Sequence, residues 1–242
     1  MQALLLNSGL GSRMGELTRS KPKCLLEIAP GETVISRQIK ALLALGIEDI
    51  VITTGPFAGM LEQYLETVFQ GQSFTYVHNP RYAETNYIYS LFLAKNSISR
   101  NLILLHGDLV FDRKLLEETL NCSQADTVLI NPQAPLPAKD FKGRLAGGLV
   151  REISVNIFGE DCRLLFPLYK ISFSLWELWQ AEMARFAARG ELNVYAEEAL
   201  NRILPRRGLY PVVYSEEFCR EIDDPADLEA VRRALAGGAG GV

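Results

Sequence analysis

The sequence predicts an α/β protein, a Rossmann-like three-layer arrangement on a mixed, mostly parallel central sheet. Two observations carry that expectation. Short apolar runs alternate with segments whose apolar residues recur at helical spacing, the pattern of strands joined by helical crossovers. The first run, Ala3-Leu6, feeds directly into closely spaced glycines, as a strand does when it ends at a ligand-binding loop.

The elements follow in order. Val34, Ile35, Ile39, Leu42 and Leu43 recur at helical spacing, and Gly46 stands where that helix would stop. Ile50-Val51-Ile52 reads as a buried strand, Leu61, Tyr64, Leu65 and Val68 as the next helix, and Phe74 to Val77 as the next strand. Ile88 to Ala94 is helical in pattern, Leu102-Leu105 is another strand, and a helix around Leu115-Leu120 leads to the strand Thr127-Ile130. Beyond Pro132 the pattern changes. Pro132, Pro135 and Pro137 punctuate a loop, and Gly143, Gly147 and Gly148 break the strand-like stretch Phe141-Ile157. Leu164-Ile171 reads as a strand, with helices expected around Phe173-Ala188 and Val194-Leu204. No linker separates residues 1–131 from 132–236, so 1–236 reads as one domain and 237–242 as a flexible tail.

Composition narrows the function. The chain has 242 residues, 48% of them hydrophobic and 22% charged, with a net charge of −4, which leaves no electrostatic footprint for nucleic acid or anionic membrane. Any phosphate site must therefore be a local concentration of cations. The four cysteines are scattered and only two histidines exist, which argues against structural zinc and fits a reducing, cytoplasmic setting. No segment approaches the ~18 apolar residues of a membrane span, and the size is compatible with a homodimer.

The chemistry begins at Leu6-Asn7-Ser8-Gly9-Leu10-Gly11-Ser12-Arg13. Bare backbone N–H groups can approach an anion there. The same residues also read as a tight strand-to-helix turn. A dinucleotide loop would place a third glycine earlier than Gly15 and continue into a helix, where Lys21-Pro22-Lys23 stands instead. No Gly-Lys-Ser/Thr occurs, which removes the P-loop. A long loop with Arg13, Lys21 and Lys23 remains, suited to a triphosphate whose charge must be neutralised.

Leu-x-x-Gly-x-Gly-x-Arg followed by Pro-Lys resembles the signature of the nucleotidyltransferase family that includes the sugar-phosphate nucleotidyltransferases. The similarity runs closest to small bacterial CTP-dependent members of the phosphocholine cytidylyltransferase type. It covers residues 1–112 and returns at Glu221-Ile222-Asp223, departing at Asn7-Ser8 and at Cys24. The resemblance implies the nucleotidyltransferase fold, with Leu6, Asn7, Ser8, Gly9, Gly11 and Ser12 along the nucleotide and Arg13 and Lys23 on its triphosphate.

Asp108 follows the strand Leu102-Leu105, at the edge where ligands of open α/β sheets bind. A turn or cap role is its rival, but Asp112 is expected to cap the helix that follows. The resemblance makes Asp108 a magnesium ligand. Asp224 before Pro225 is a ready N-cap, which leaves Asp223 free to point elsewhere, and the resemblance makes it the second ligand. Asn86 and Ser90 lie in a polar segment entering a helix, where one reading is capping; the resemblance places both near the nucleotide.

The acceptor side is sparser. Tyr87, Lys142, Lys170 and Glu198 are candidate acceptor contacts, set against solvated lysines and an exposed helix face carrying Glu197 and Glu198. Trp176 and Trp179 read as core, and His106 as structural. The resulting expectation is Mg²⁺-dependent transfer of CMP from CTP to a small phosphorylated or phosphonylated alcohol or amine, with residues 132–236 completing the acceptor and metal sites. The alternatives are a sugar-1-phosphate nucleotidyltransferase using UTP, dTTP or GTP, and an inactive nucleotide sensor on the same fold.

Overall fold

A computed structural model describes residues 1–239. The first half runs β1 (Gln2–Asn7), β2 (Glu27–Ala29), β3 (Glu32–Thr33), α1 (Val34–Ala44), β4 (Ile50–Thr54), α2 (Ala58–Val68), β5 (Phe74–His78) and α3 (Tyr87–Leu93). It continues with β6 (Leu102–His106), β7 (Leu109–Phe111), α4 (Arg113–Asn121) and β8 (Thr127–Asn131). Then come β9 (Lys142–Ala146), β10 (Leu149–Ser154), β11 (Cys162–Ile171), α5 (Phe173–Ala188), α6 (Ala196–Leu200), β12 (Tyr210–Val213), β13 (Cys219–Glu221) and α7 (Pro225–Ala236).

The continuous apolar runs became buried strands. They form one sheet in the order β10-β9-β11-β6-β1-β4-β5, with β8 also on β11 and β12 on β8. Pairing directions make it mixed but mostly parallel: seven of its nine strands run one way, and only β10 and β11 are reversed. Side chains alternate across it. Ala3 and Leu5 face a layer formed by α1, α2 and α4, whereas Leu4 faces α3, α5 and α6, so both faces are covered. Trp176 and Trp179 lie in that second layer, buried and 6.4 Å apart between ring centroids. A smaller apolar cluster joins Met14, Leu26 and Val110 to Ile222, Leu228 and Val231, binding the glycine loop to the last helix.

Two expectations need correction. The helix expected over Val194-Leu204 is regular only over Ala196–Leu200. Just after it, the Asn201 side chain accepts from Ile153 N–H and donates to Ile153 C=O, serving β10 as a neighbouring strand would. Asp112 occupies the N-cap position of α4 without capping it, because its carboxylate accepts the Phe218 N–H at 2.8 Å. Within the segment 237–242 expected as a tail, Gly237, Gly238 and Ala239 donate N–H groups back to α7 carbonyls. Its last residues, 240–242, lie outside the described residues. Among the described residues no helix is long and apolar enough to cross a membrane.

Candidate active site

The ends of β1 and β6 open onto a cleft of about 360 Å³. Its position is the usual one for ligands of open α/β sheets. Local sequence explains how the parts arrive there. Gly11 adopts φ 64°, and its carbonyl accepts both Met14 N–H and the Thr18 hydroxyl at 2.9 Å. The loop thereby folds back on the segment that carries Lys23. At the other strand end, Gly107 N–H donates to Leu6 C=O at 3.0 Å. A Cβ at Gly107 would sit 2.1 Å from Asn7 Oδ1 and 2.4 Å from Leu6 O, so only glycine lets the two ends approach this closely. That approach delivers Asp108 beside the glycine loop.

Asp223 reaches the same place through a short ladder. β13 pairs antiparallel with β7, Glu221 stands opposite Leu109, and Ile222 N–H donates to Asp108 C=O at 3.0 Å. Asp224 caps α7 in a capping box with Asp227, which leaves the Asp223 carboxylate free to face the cleft.

Charges meet there in pairs. The Lys23 ammonium donates to Asp108 Oδ2 and lies 3.7 Å from Asp223 Oδ1, while Arg13 Nη2 is 2.8 Å from that same oxygen. Burial works against the Lys23 ammonium, but Asp108 and Asp223 outweigh it and raise its pKa above the ordinary lysine value. Burial also works against the Asp108 carboxylate, yet Lys23 and His106 hold it below the usual range. Glu221 is pushed up to about 7, chiefly by burial and then by Asp108, against the opposing contact with His106. His106 sits between two carboxylates, with Nδ1 3.7 Å from Glu221 and Nε2 4.0 Å from Glu197. Burial disfavours its charged form, but those two acids raise its pKa.

Apart from Lys139, the remaining walls are uncharged or aromatic. Asn86 caps α3, its Oδ1 accepting the Tyr87 N–H at 2.8 Å. Tyr87 stacks edge-on against His106 at 4.8 Å, and Tyr195 against Phe141 at 5.1 Å. The Tyr87 hydroxyl donates to one oxygen of the buried Glu197 carboxylate, and Tyr169 donates to the other at 3.0 Å. Lys139 stands at the rim, its Nζ 2.6 Å from Asp227 Oδ2.

Of the residues singled out from sequence, Leu6, Asn7, Ser8, Gly9, Gly11, Ser12, Arg13, Lys23, Asn86, Tyr87, Asp108 and Asp223 line this cleft. Lys21, the third cation of the loop, does not line it, and four more residues are placed elsewhere. Ser90 is fully buried behind the wall, touching Ser8 Oγ at 2.6 Å. Lys142 is fully buried, and its ammonium donates to the carbonyls of Pro137 and Val155. Lys170 binds the carbonyls of Leu120 and Cys122 at the end of α4, toward the start of β6 and away from His106. Glu198 is exposed, and its neighbour Glu197 is the one turned inward. His106, expected to be structural only, is part of the wall, as are Asn79, Lys139, Phe141, Tyr195 and Glu221. Adjacency to Asp108 and Asp223 was a usable signal for His106 and Glu221. Nothing local marks Lys139.

Known proteins resemble this chain over most of its length. The MobA-like NTP transferase domain family matches residues 3–238. CTP:phosphoglutamine cytidylyltransferase of Campylobacter jejuni is 27% identical, covering 95% of this chain and 98% of its own. Choline-phosphate cytidylyltransferase of Haemophilus influenzae is 32% identical over 82% of this chain and 88% of that protein. CMP-5'-(3-aminopropyl)phosphonate synthase of Streptomyces rubellomurinus is 30% identical over 56% of this chain, which spans only 22% of that longer protein. Among solved structures, CTP:phosphocholine cytidylyltransferase of Streptococcus pneumoniae shares the fold, with a TM-score of 0.77 at 20% identity over 97% of this chain and 98% of that one.

Proposed function

The chain belongs to the MobA-like NTP transferase domain family, and from that premise we propose that it is a magnesium-dependent cytidylyltransferase transferring CMP from CTP to a small phosphorylated or phosphonylated amine or alcohol. The observation that carries this reading is the convergence of Arg13 and Lys23 on Asp108 and Asp223 in one cleft. Such a set exchanges partners readily. An entering triphosphate takes over the two cations, and the two carboxylates are left for a divalent ion.

The donor set fits Mg²⁺. It offers hard carboxylate oxygens, and Asp108 Oδ1 is buried with no hydrogen-bond partner among the described residues. Bound there, Mg²⁺ would offset the negative charge that builds on the phosphates. The chain's own groups do the rest. Lys23 and Arg13 hold the triphosphate and stabilise charge on the departing pyrophosphate. An oxygen of the acceptor's phosphate or phosphonate forms the new bond to the α-phosphorus as the bond to the bridging oxygen breaks. That oxygen is already ionised at neutral pH, so no general base is needed and positioning is the main task.

The acceptor's head faces Tyr87, Phe141 and Tyr195, with Glu197 behind Tyr87 and Glu221 on the wall beside His106. Aromatic faces backed by carboxylates suit an ammonium head. Relatives named for phosphocholine, phosphoglutamine and an aminopropylphosphonate point to the same class. Lys139, at the rim, is placed to meet the acceptor's phosphate. Pyrophosphate release should be measured with Mg²⁺, each nucleoside triphosphate and a panel of phospho- and phosphono-amines. Release is expected with CTP and an amine-bearing acceptor. Release only with sugar 1-phosphates, or none with any acceptor, would contradict the proposal.

A further inference from the structure

We propose that the Ser8 hydroxyl is a dedicated hydrogen-bond donor to the base, set in that role by a buried Asn79–Ser90 relay, and that this polarity selects cytosine over uracil. The proposal rests on the nucleotide-binding reading above and concerns the part of the cleft wall formed by Ser8 and Asn79.

The direction of every hydrogen bond in the relay follows from its neighbours. Arg81 N–H donates to Asn79 Oδ1 at 2.9 Å, which fixes the orientation of the Asn79 amide. Its NH₂ group must then donate, and it does so to Thr85 Oγ1 at 3.1 Å and Ser90 Oγ at 3.0 Å. The Thr85 hydroxyl passes its own hydrogen to Arg81 C=O at 2.8 Å. Ser90 is fully buried, and its hydroxyl has two partners among the described residues, Asn79 and Ser8. Since Asn79 only donates, the Ser90 hydrogen goes to Ser8 Oγ, 2.6 Å away. A buried hydroxyl left without an acceptor would be costly, which enforces the direction.

Ser8 thus accepts from behind and keeps its own hydrogen for the cleft, whose wall it forms. The two pyrimidines differ at the ring edge such a donor meets. Cytosine N3 carries a lone pair, whereas uracil N3 carries a hydrogen. The O2 atom accepts in both and cannot discriminate. Facing uracil N3, Ser8 would set donor against donor, because its acceptor side is already taken by Ser90.

The test is calorimetric binding of CTP, UTP, ATP and GTP with Mg²⁺ and no acceptor. It compares the wild-type chain with Ser90→Ala, Ser8→Ala and Asn79→Asp, with thermal melts to confirm folding. Wild type should prefer CTP over UTP by about tenfold or more. Ser90→Ala should narrow that ratio, because Ser8 can then turn either way. Ser8→Ala should weaken CTP more than UTP. Asn79→Asp places an acceptor where the amide donated, so the relay reverses and the ratio should collapse or invert. If Asn79→Asp does not fold, Ser90→Ala decides alone. An unchanged CTP:UTP ratio in folded Ser90→Ala with wild type preferring CTP overturns the inference and leaves the cytidylyltransferase reading intact, whereas a wild-type preference for UTP or a purine overturns both the inference and the choice of CTP. Failure to bind any triphosphate overturns the transferase reading as well.

Discussion

Replacing Gly107 by alanine should disable the site by moving it, without removing any group that acts in it. The new Cβ would stand 2.1 Å from Asn7 Oδ1 and 2.4 Å from Leu6 O. The side-chain amide can rotate away, but Leu6 O is backbone in a central strand, held by the Gly107 N–H itself. Relief to an ordinary contact of about 3.4 Å therefore requires the β1 and β6 ends to separate by roughly 1 Å. Overpacking of this kind costs about 1–3 kcal/mol. For a chain of this size that is about 2–12 °C in Tm. Asp108, the next residue, moves with β6, and a displacement of about 1 Å at reacting groups lowers turnover about a hundredfold. Gly9→Ala is the control in the facing loop, since a Cβ there meets nothing within 4 Å. It should keep the wild-type Tm and affect only triphosphate affinity. Melting curves and pyrophosphate-release kinetics on both variants decide the matter. Wild-type Tm and turnover in Gly107→Ala would refute the close-approach reasoning.

Three further outcomes are expected. Lys142→Met keeps the buried stem but leaves the Pro137 and Val155 carbonyls without their donor, at about 1–3 kcal/mol for each unsatisfied group. Because Lys139, Phe141 and Val155 flank that staple, KM for the acceptor should rise more than KM for the triphosphate in steady-state kinetics. Asp108→Asn and Asp223→Asn should each reduce turnover at least a hundredfold, about 2.7 kcal/mol of transition-state stabilisation, with circular dichroism unchanged; near-normal turnover in either would remove that aspartate from the mechanism. Asp224→Ala should lower Tm. The α7 N-cap hydrogen bond from Asp227 N–H, then the Lys139 ammonium, then the bond from Ala226 N–H hold the Asp224 pKa below the ordinary aspartate value. Its stabilising effect is therefore present above that value and lost as pH falls through the depressed one, so the Tm gap between wild type and variant should close in acid.

Much of the fold was legible because its signals are local. The apolar runs at Leu4, Val51 and Leu104 and the periodic residues of α1 and α5 each announce their element within a few residues. The ladder joining β7 to β13 was not, since strands of three residues carry no periodicity, and their pairing spans more than a hundred positions. Yet that ladder is what sets Asp223 beside Asp108. Side-chain fate was harder still. Lysine at 142 reads as solvent-facing or ligand-facing by type, and it is buried only because the 137 and 155 loops close over it and supply carbonyls. Glu197 and Glu198 are alike in sequence; helical rotation turns the first toward Tyr87 and Tyr169 and the second to solvent. The Ser8–Ser90 contact joins the loop after β1 to α3, a pairing across 82 positions that only the folded chain shows.

The most direct test of the central claim follows the α-phosphate. The chain should be incubated with Mg²⁺, CTP labelled at the α-phosphorus, and a phospho- or phosphono-amine, and the products separated. Transfer chemistry predicts that the label moves stoichiometrically into a CDP-linked or CMP-linked acceptor, with unlabelled pyrophosphate released in equal amount. Label recovered only as free CMP, or remaining in intact CTP with every acceptor, would contradict it.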